Sequence, residues 1–278
     1  EYSAFEGCTG LTNIEIPESV REIGTSAFEG CTGLTYIVIP SSVTEIEYDA
    51  FKGCTSLASI EIPNSVTEIG SHAFEGCTGL TNIKNPDSVT EIGHDAFKGC
   101  TGLISIKIPS SVTKIGKNAF EGCTGLTDIV IPESVTIIED GAFRGCTSLI
   151  GIEIPDSVRV LMTGVFSGCA RLDKIILPKR LLRICNGAFS ECLALSTLNI
   201  PNNVIIEEDA LNCAPLKELY VRLDNPQECV KLFCVYESFT ESDRTNEYDN
   251  WYRVYKKHRI FDKLKNRSSI ALYVPIGT

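Results

Sequence analysis

The stretch Ala27-Phe28-Glu29-Gly30-Cys31-Thr32-Gly33-Leu34-Thr35-Tyr36-Ile37-Val38-Ile39-Pro40-Ser41-Ser42-Val43-Thr44-Glu45-Ile46 decides the fold of this chain. Leu34, Ile37 and Ile39 are apolar at the spacing L-x-x-I-x-I, and the alternation around Val38 is strand periodicity. Pro40 ends that strand because it has no N–H to give a ladder. Val43 and Ile46 form a second apolar pair, read as a short second strand or extended arm. Ala27 and Phe28 plug the next corner. Gly30 falls where the chain must turn tightly, which predicts a positive φ. No part of the stretch is long enough for a regular helix, so strand and turn are expected, with at most single helical turns near Ala-Phe-x-Gly-Cys.

Working outward, the same stretch recurs every 23 residues. Phenylalanine stands at Phe5, Phe28, Phe51, Phe74, Phe97, Phe120, Phe143, Phe166 and Phe189 without an insertion. Cysteine comes three residues after each, from Cys8 to Cys192, and proline repeats from Pro17 to Pro201. A tenth, shortened unit carries Leu211, Cys213, Leu216, Leu219 and Val221. One unit alone cannot fold, since burying its apolar side chains at roughly 1.5–3 kcal/mol each only matches the cost of ordering its backbone at about 1–2 kcal/mol per residue. Stability must come from neighbours stacked on each other. Ten turns with parallel strands about 4.8 Å apart predict a rod or shallow arc roughly 45–50 Å long.

The pattern and the charge both change after Val221. Residues 1–221 carry 15 Lys and Arg against 28 Asp and Glu, net −13, while residues 222–278 carry 10 against 8, net +2. The array is therefore assigned to residues 1–221 and a C-terminal capping segment to 222–278. Asn225-Pro226-Gln227-Glu228 reads as a helix start, with Val230, Phe233 and Cys234 facing inward. Trp251 to Asn266 reads as a second helix or compact segment. A small helical cap suits a solenoid, whose last turn otherwise exposes its core.

An acidic array repels phosphate backbones, which argues against nucleic acid as a partner. No apolar run reaches the length of about 18 residues that a spanning helix needs, so no membrane insertion is expected. No signal peptide is evident, and Glu1 falls inside a repeat, so a fragment or processed form is expected.

With these residues in view, the unit resembles the BspA-like, Treponema pallidum-type leucine-rich repeat. The resemblance covers residues 1–221 and returns at Leu272-Tyr273-Val274-Pro275-Ile276-Gly277-Thr278, which is similar to the closing strand of such arrays. It implies a leucine-rich-repeat solenoid, nominally of the α/β horseshoe class but mostly strand and turn. It also implies a bacterial or protozoan surface protein, secreted or held at the cell surface, that adheres to extracellular-matrix or host proteins. Residues 222–271 depart from the pattern.

Thirteen cysteines invite a disulfide or metal reading. Nine of them are one turn apart, no C-x-x-C occurs, and each precedes a core leucine, so a stack of buried free thiols is expected. Cys185, Cys213, Cys229 and Cys234, outside the strict spacing or near its end, are the candidates for any disulfide.

The residue after each phenylalanine reads Glu29, Lys52, Glu75, Lys98, Glu121, Arg144, an alternation expected to pair along the rod. Glu22, Glu45, Glu68 and Glu91 instead form a run of like charge ended by Lys114. Stacked carboxylates at that spacing repel by about 1 kcal/mol in water. A solvated acidic edge is preferred to a bound cation, because a calcium cage needs about six to eight oxygens. His72 and His94 lie on adjacent turns before phenylalanines, but no third metal ligand is evident, so no metal site is assigned. No nucleotide, zincin or nucleophile-elbow motif is present. No catalytic residue and no cofactor are expected.

The candidate binding residues lie on the outward slots of the longer strand: Tyr36, Val38, Lys84, Lys107, Val130, Glu153, Ile176 and Tyr220. Apolar groups exposed on a sheet face can mark a contact site, although β-branched residues also simply suit strands. The expected function is a non-enzymatic protein-binding or adhesion module. A structural spacer without its own ligand and a glycan-binding module are the alternatives. Asn85 replaces a strand isoleucine and would need polar partners indoors.

Overall fold

The computed structural model describes residues 2–84, 86–201, 204–207 and 209–211, together with the strands Glu218–Arg222 and Cys229–Phe233. Asn85 and the expected second helix at Trp251 to Asn266 lie outside the described residues, as does the expected closing strand.

Every turn makes two strands. The longer ones begin with Asn13–Glu15, Tyr36–Val38, Ser59–Glu61 and Asn82–Lys84, which pair in parallel as one sheet. Ser105–Lys107 pairs with Asp128–Val130, and Gly151–Glu153 with Lys174–Ile176. Thr197–Ile200 pairs in parallel with Glu218–Arg222. The shorter strands form a second column. Glu22–Ile23, Glu45–Ile46, Glu68–Ile69, Glu91–Ile92, Lys114–Ile115 and Ile137–Ile138 are one parallel sheet. Val160–Leu161, Arg183–Ile184 and Ile205–Ile206 continue it as another. In the three-residue strands the middle residue points in and its two neighbours point out, as the sequence alternation requires.

The corner between turns contains no helix among the described residues. It is a run of tight turns, with Cys31 N–H donating to the Phe28 carbonyl at 3.1 Å and Leu34 N–H to the Cys31 carbonyl at 3.0 Å. Successive corners also bond to each other: Phe28 N–H donates to the Ala50 carbonyl of the next turn at 2.8 Å, and the pattern repeats up the stack. The backbone of every corner thus has partners in place without a helix.

Two interior stacks run through the array. The phenylalanine rings from Phe5 to Phe189 lie parallel, with centroids 5.2 to 5.8 Å apart, in the range of offset-stacked rings. The cysteines form the second. Cys54 Sγ donates to the Phe28 carbonyl at 3.1 Å, and the same bond joins each cysteine of the 23-residue series from Cys77 to Cys192 to the phenylalanine carbonyl 26 residues before it. That carbonyl already accepts the N–H of the cysteine in its own turn, so the thiol fills a small apolar space and uses the second lone pair. Burial pushes the Cys54 and Cys169 thiols up to about 12. Cys77, Cys100, Cys123 and Cys146 are raised well above the ordinary thiol value, again by burial first and a neighbouring thiol second.

Three expectations are revised. Cys8, in the first described turn, is exposed and not part of the buried stack. Cys185 is a free, buried thiol and forms no disulfide; the side chains of Cys213, Cys229 and Cys234 lie outside the description. Cys229–Phe233 is a strand antiparallel to Glu218–Arg222, not the continuation of a helix from Asn225. The extended state wins there because the edge of the previous strand offers unpaired backbone groups.

Candidate functional site

The outward slots of the longer strands form one continuous column. Val38 is the lateral neighbour of Glu61, and Glu61 of Lys84. Lys107 neighbours Val130, Glu153 neighbours Ile176, and Asn199 neighbours Tyr220. All eight residues picked from the sequence therefore share one face. For Tyr220 only the backbone position is described.

Among them the structure brings three together. Tyr36, Val38 and Lys84 line an open depression of about 450 Å³, whose wall also includes Ser59, Glu61 and Asn82. Lys84 Nζ pairs with Glu61 Oε1 across adjacent turns. Ser59, Glu61 and Asn82 were not singled out by sequence. Their signal was the 23-residue offset from Tyr36 and Val38, which makes each slot a neighbour of its copy. Farther along, Lys107 pairs with Asp87 at 3.5 Å, and Val130 and Ile176 stand exposed between polar neighbours. Val130 is 71% exposed and Tyr36 57%, so both leave most of their surface to water. Ile104 and Ile150, in the slot after the core leucine, add two more exposed apolar side chains.

A second cluster lies at the corners. The residue two before each phenylalanine takes a left-handed backbone at Ser26, Asp49, His72, Asp95 and Asn118, and at Gly141, Gly164 and Gly187. The expected alternation in the slot after phenylalanine is present there, joined by partners that the sequence did not suggest. Lys52 Nζ lies 3.1 Å from Asp49 and 3.5 Å from Glu75; Lys98 lies 3.2 Å from Asp95 and 3.5 Å from Glu121. Partial burial acts to lower both ammonium groups, but the surrounding carboxylates outweigh it and hold them above the ordinary lysine value.

Could this cluster hold a metal? Ligand atoms of Asp49, His72 and Glu75 lie within 4.8 Å of one another. Lys52, however, supplies the positive charge between the two carboxylates, and His72 Nδ1 donates to Glu75 Oε2 at 2.7 Å. The same arrangement recurs at Asp95, Lys98 and Glu121 with Asn118 in the slot that His72 fills. The cluster is thus one stage of a repeating ionic stack. Nor do the two histidines form a pair: His94 Nδ1 faces Glu139 at 3.4 Å instead.

The short-strand column is split by charge. Lys114 lies 2.8 Å from Glu91 and 3.4 Å from Glu139, and those bonds raise its ammonium. Glu22, Glu45 and Glu68 are stacked on consecutive turns and form no ion pair within the described residues. No helix among the described residues is long and apolar enough to cross a membrane.

The comparisons with known proteins agree with this architecture. The BspA-type leucine-rich repeat region matches residues 1–127 and 115–227, in six copies. The leucine-rich repeat protein of T. pallidum is 40% identical, with a TM-score of 0.55 over 57% of this chain and 77% of its own. A leucine-rich cell surface protein of Faecalibacterium prausnitzii is 32% identical, with a TM-score of 0.53 over 75% of this chain and 66% of its own. The pneumococcal vaccine antigen PcpA shares the fold at 21% identity, with a TM-score of 0.53 over 76% of this chain and 63% of its own. No curated protein matches the chain.

Proposed function

Because the chain belongs to the BspA-type leucine-rich repeat family, a family of protein-interaction repeats on a typically non-enzymatic scaffold, we propose that it is an adhesion module that works at a cell surface and binds a host or extracellular-matrix protein through the longer-strand face. The observation that carries this reading is the set of apolar side chains left in water on that face. Tyr36, Val38, Val130 and Ile176 point outward from strands whose other face already has a complete core. Charged residues would serve solubility better there, and apolar groups grouped on a sheet face favour contact with a partner. Surface relatives such as the F. prausnitzii protein support the location. We place the edge of the array near Val221, with residues 222–278 closing it.

The test is binding of the purified chain to immobilised extracellular-matrix and serum proteins, repeated with Val130→Lys, Ile176→Lys and Tyr36→Ala. Loss of a central apolar anchor lowers affinity by about tenfold or more when it is an interface hot spot. All three variants keep the wild-type melting temperature, because the replaced side chains are exposed. Full binding by all three would move the contact to another surface. No binding to any of these proteins would favour a spacer.

A further inference from the structure

The short-strand column is built from sheets separate from those of the longer-strand face, and it has two chemically opposite halves. Its first four turns present Glu22, Glu45, Glu68 and Glu91. Its later turns present Lys114, Ile137, Val160, Arg183 and Ile205 in the same slot. The preceding slot holds Arg21 and then threonines in the first four turns, and Arg159 and Leu182 in the later ones. Leu182 is 58% exposed and Ile205 51%, so the later half has an apolar strip open to water. Arg183 is half exposed beside Glu207, and Arg159 donates to the Arg180 carbonyl, not to a carboxylate. Glu91 is already paired with Lys114, but Glu22, Glu45 and Glu68 carry charge with no ion pair among the described residues, and Arg159 and Arg183 in the later half carry the opposite sign.

We propose that this column is a self-association surface, on which a second copy of the chain packs antiparallel about a twofold axis between the Glu91 and Lys114 turns. Strands repeat about every 4.8 Å along both rods, so one register aligns all turns. That register places Glu22 opposite Arg183 and Leu182, Glu45 opposite Arg159 and Val160, Glu68 opposite Ile137, and Glu91 opposite Lys114. Each match occurs twice, once on each side of the axis, as an isologous interface requires. The reverse, parallel stacking would set Glu22, Glu45 and Glu68 against their own copies. The eight turns involved span roughly 34 Å at that spacing, the length scale of a standard-size interface patch. An acidic polypeptide is the other occupant that the basic half could take, but it brings no counter-charge to the stacked glutamates, whereas a second copy brings arginines to Glu22 and Glu45.

Sedimentation of the full chain at high protein concentration tests this, at about 50 mM and about 500 mM salt. The expected species at low salt has twice the 30.4 kDa chain mass and shifts toward monomer at high salt. Glu45→Arg alone and Arg159→Glu alone each give monomer at low salt, and the double variant restores the dimer. Both sites are at the surface, and thermal melting checks that each variant is folded. Leu182→Asp, which leaves the partner's charges in place, also gives monomer. A wild-type chain that stays monomeric at every salt overturns the proposal. So does a dimer indifferent to the reversals, or binding of polyglutamate that needs Arg159 and Arg183 while the chain remains monomeric.

Discussion

The corners at Asp49, His72, Asp95 and Asn118 and those at Gly141, Gly164 and Gly187 have the same backbone and different chemistry. φ is +53° to +58° in the first group and +61° to +64° in the second. Stacking imposes that conformation: the N–H of Asp95 reaches the Lys117 carbonyl of the next turn at 2.8 Å, and the N–H of Gly164 reaches the Asn186 carbonyl at 3.0 Å. A left-handed backbone costs a non-glycine residue about 1–2 kcal/mol. In the first group a polar side chain limits that cost, and Asp49 and Asp95 join the Lys52 and Lys98 stack. In the second, glycine removes the cost and leaves room, and the Arg144 guanidinium lies over Gly164, where an added Cβ would be 2.7 Å from Nη2. The array therefore holds the backbone constant and lets the surface chemistry vary along its length.

The interior gives the control for this comparison, because there the two regions are alike. Its largest expected effect is alkaline. Below pH 9, the ordinary thiol value, folded and unfolded chains both keep the thiol proton. Between there and about 12 the unfolded chain loses protons that Cys54 and Cys169 retain when folded. Stability present below that range therefore falls as pH rises through it, by about 1.4 kcal/mol per pH unit for each buried thiol. The thiols of the middle turns add to the fall. Melting temperature should be level from pH 6 to 8 and drop steeply above pH 9. Cys77→Ala with Cys100→Ala should flatten the drop; an unchanged slope would assign it to other groups.

Truncating one ring of the aromatic stack comes next. Phe97→Ala and Phe166→Ala each remove a side chain fully buried between two parallel rings. Each should cost about 3–5 kcal/mol in urea unfolding, with similar values in the two regions. A loss at Phe166 less than half that at Phe97 would mean that the glycine-cornered turns are also packed more loosely.

What the sequence disclosed obeys the same division. The phenylalanine, cysteine and proline slots repeat the residue itself, so the 23-residue period and the strands around Ile37 were legible at once. The left-handed corner was not, since Ser26, Asp49, His72, Asn118 and Gly141 share no side-chain type, only a tolerance of positive φ. The alternation of Glu29, Lys52 and Glu75 was visible, but the part played by Asp49 and Asp95 was hidden until that corner turned them toward the lysines. On the sheet face the column of candidates was readable from spacing, whereas the depression at Tyr36 depends on how side chains from three turns lean. At Cys229–Phe233 a local helix-start signal was overruled by an open strand edge, which only tertiary structure supplies.

Exchanging the two kinds of corner has the smallest expected effect and bears most directly on the comparison. Gly164→Ala puts a Cβ on a left-handed backbone and pushes Arg144 aside, so it should destabilise by about 1–2 kcal/mol. Asp95→Gly is the reciprocal change. It relieves the backbone but removes a carboxylate from Lys98, whose remaining partner is Glu121 at 3.5 Å. The pair is part-buried, and Asp95 also accepts from Asn118 at 3.4 Å, so its loss costs on the order of 1 kcal/mol, close to what the relaxed backbone returns. Asp95→Gly should therefore be near neutral in urea unfolding. Added salt should narrow any loss, because only the ionic part is screened. If Asp95→Gly cost more than Gly164→Ala, the ionic stack would be a main support of the earlier turns, and backbone geometry would no longer explain why both corner types are tolerated.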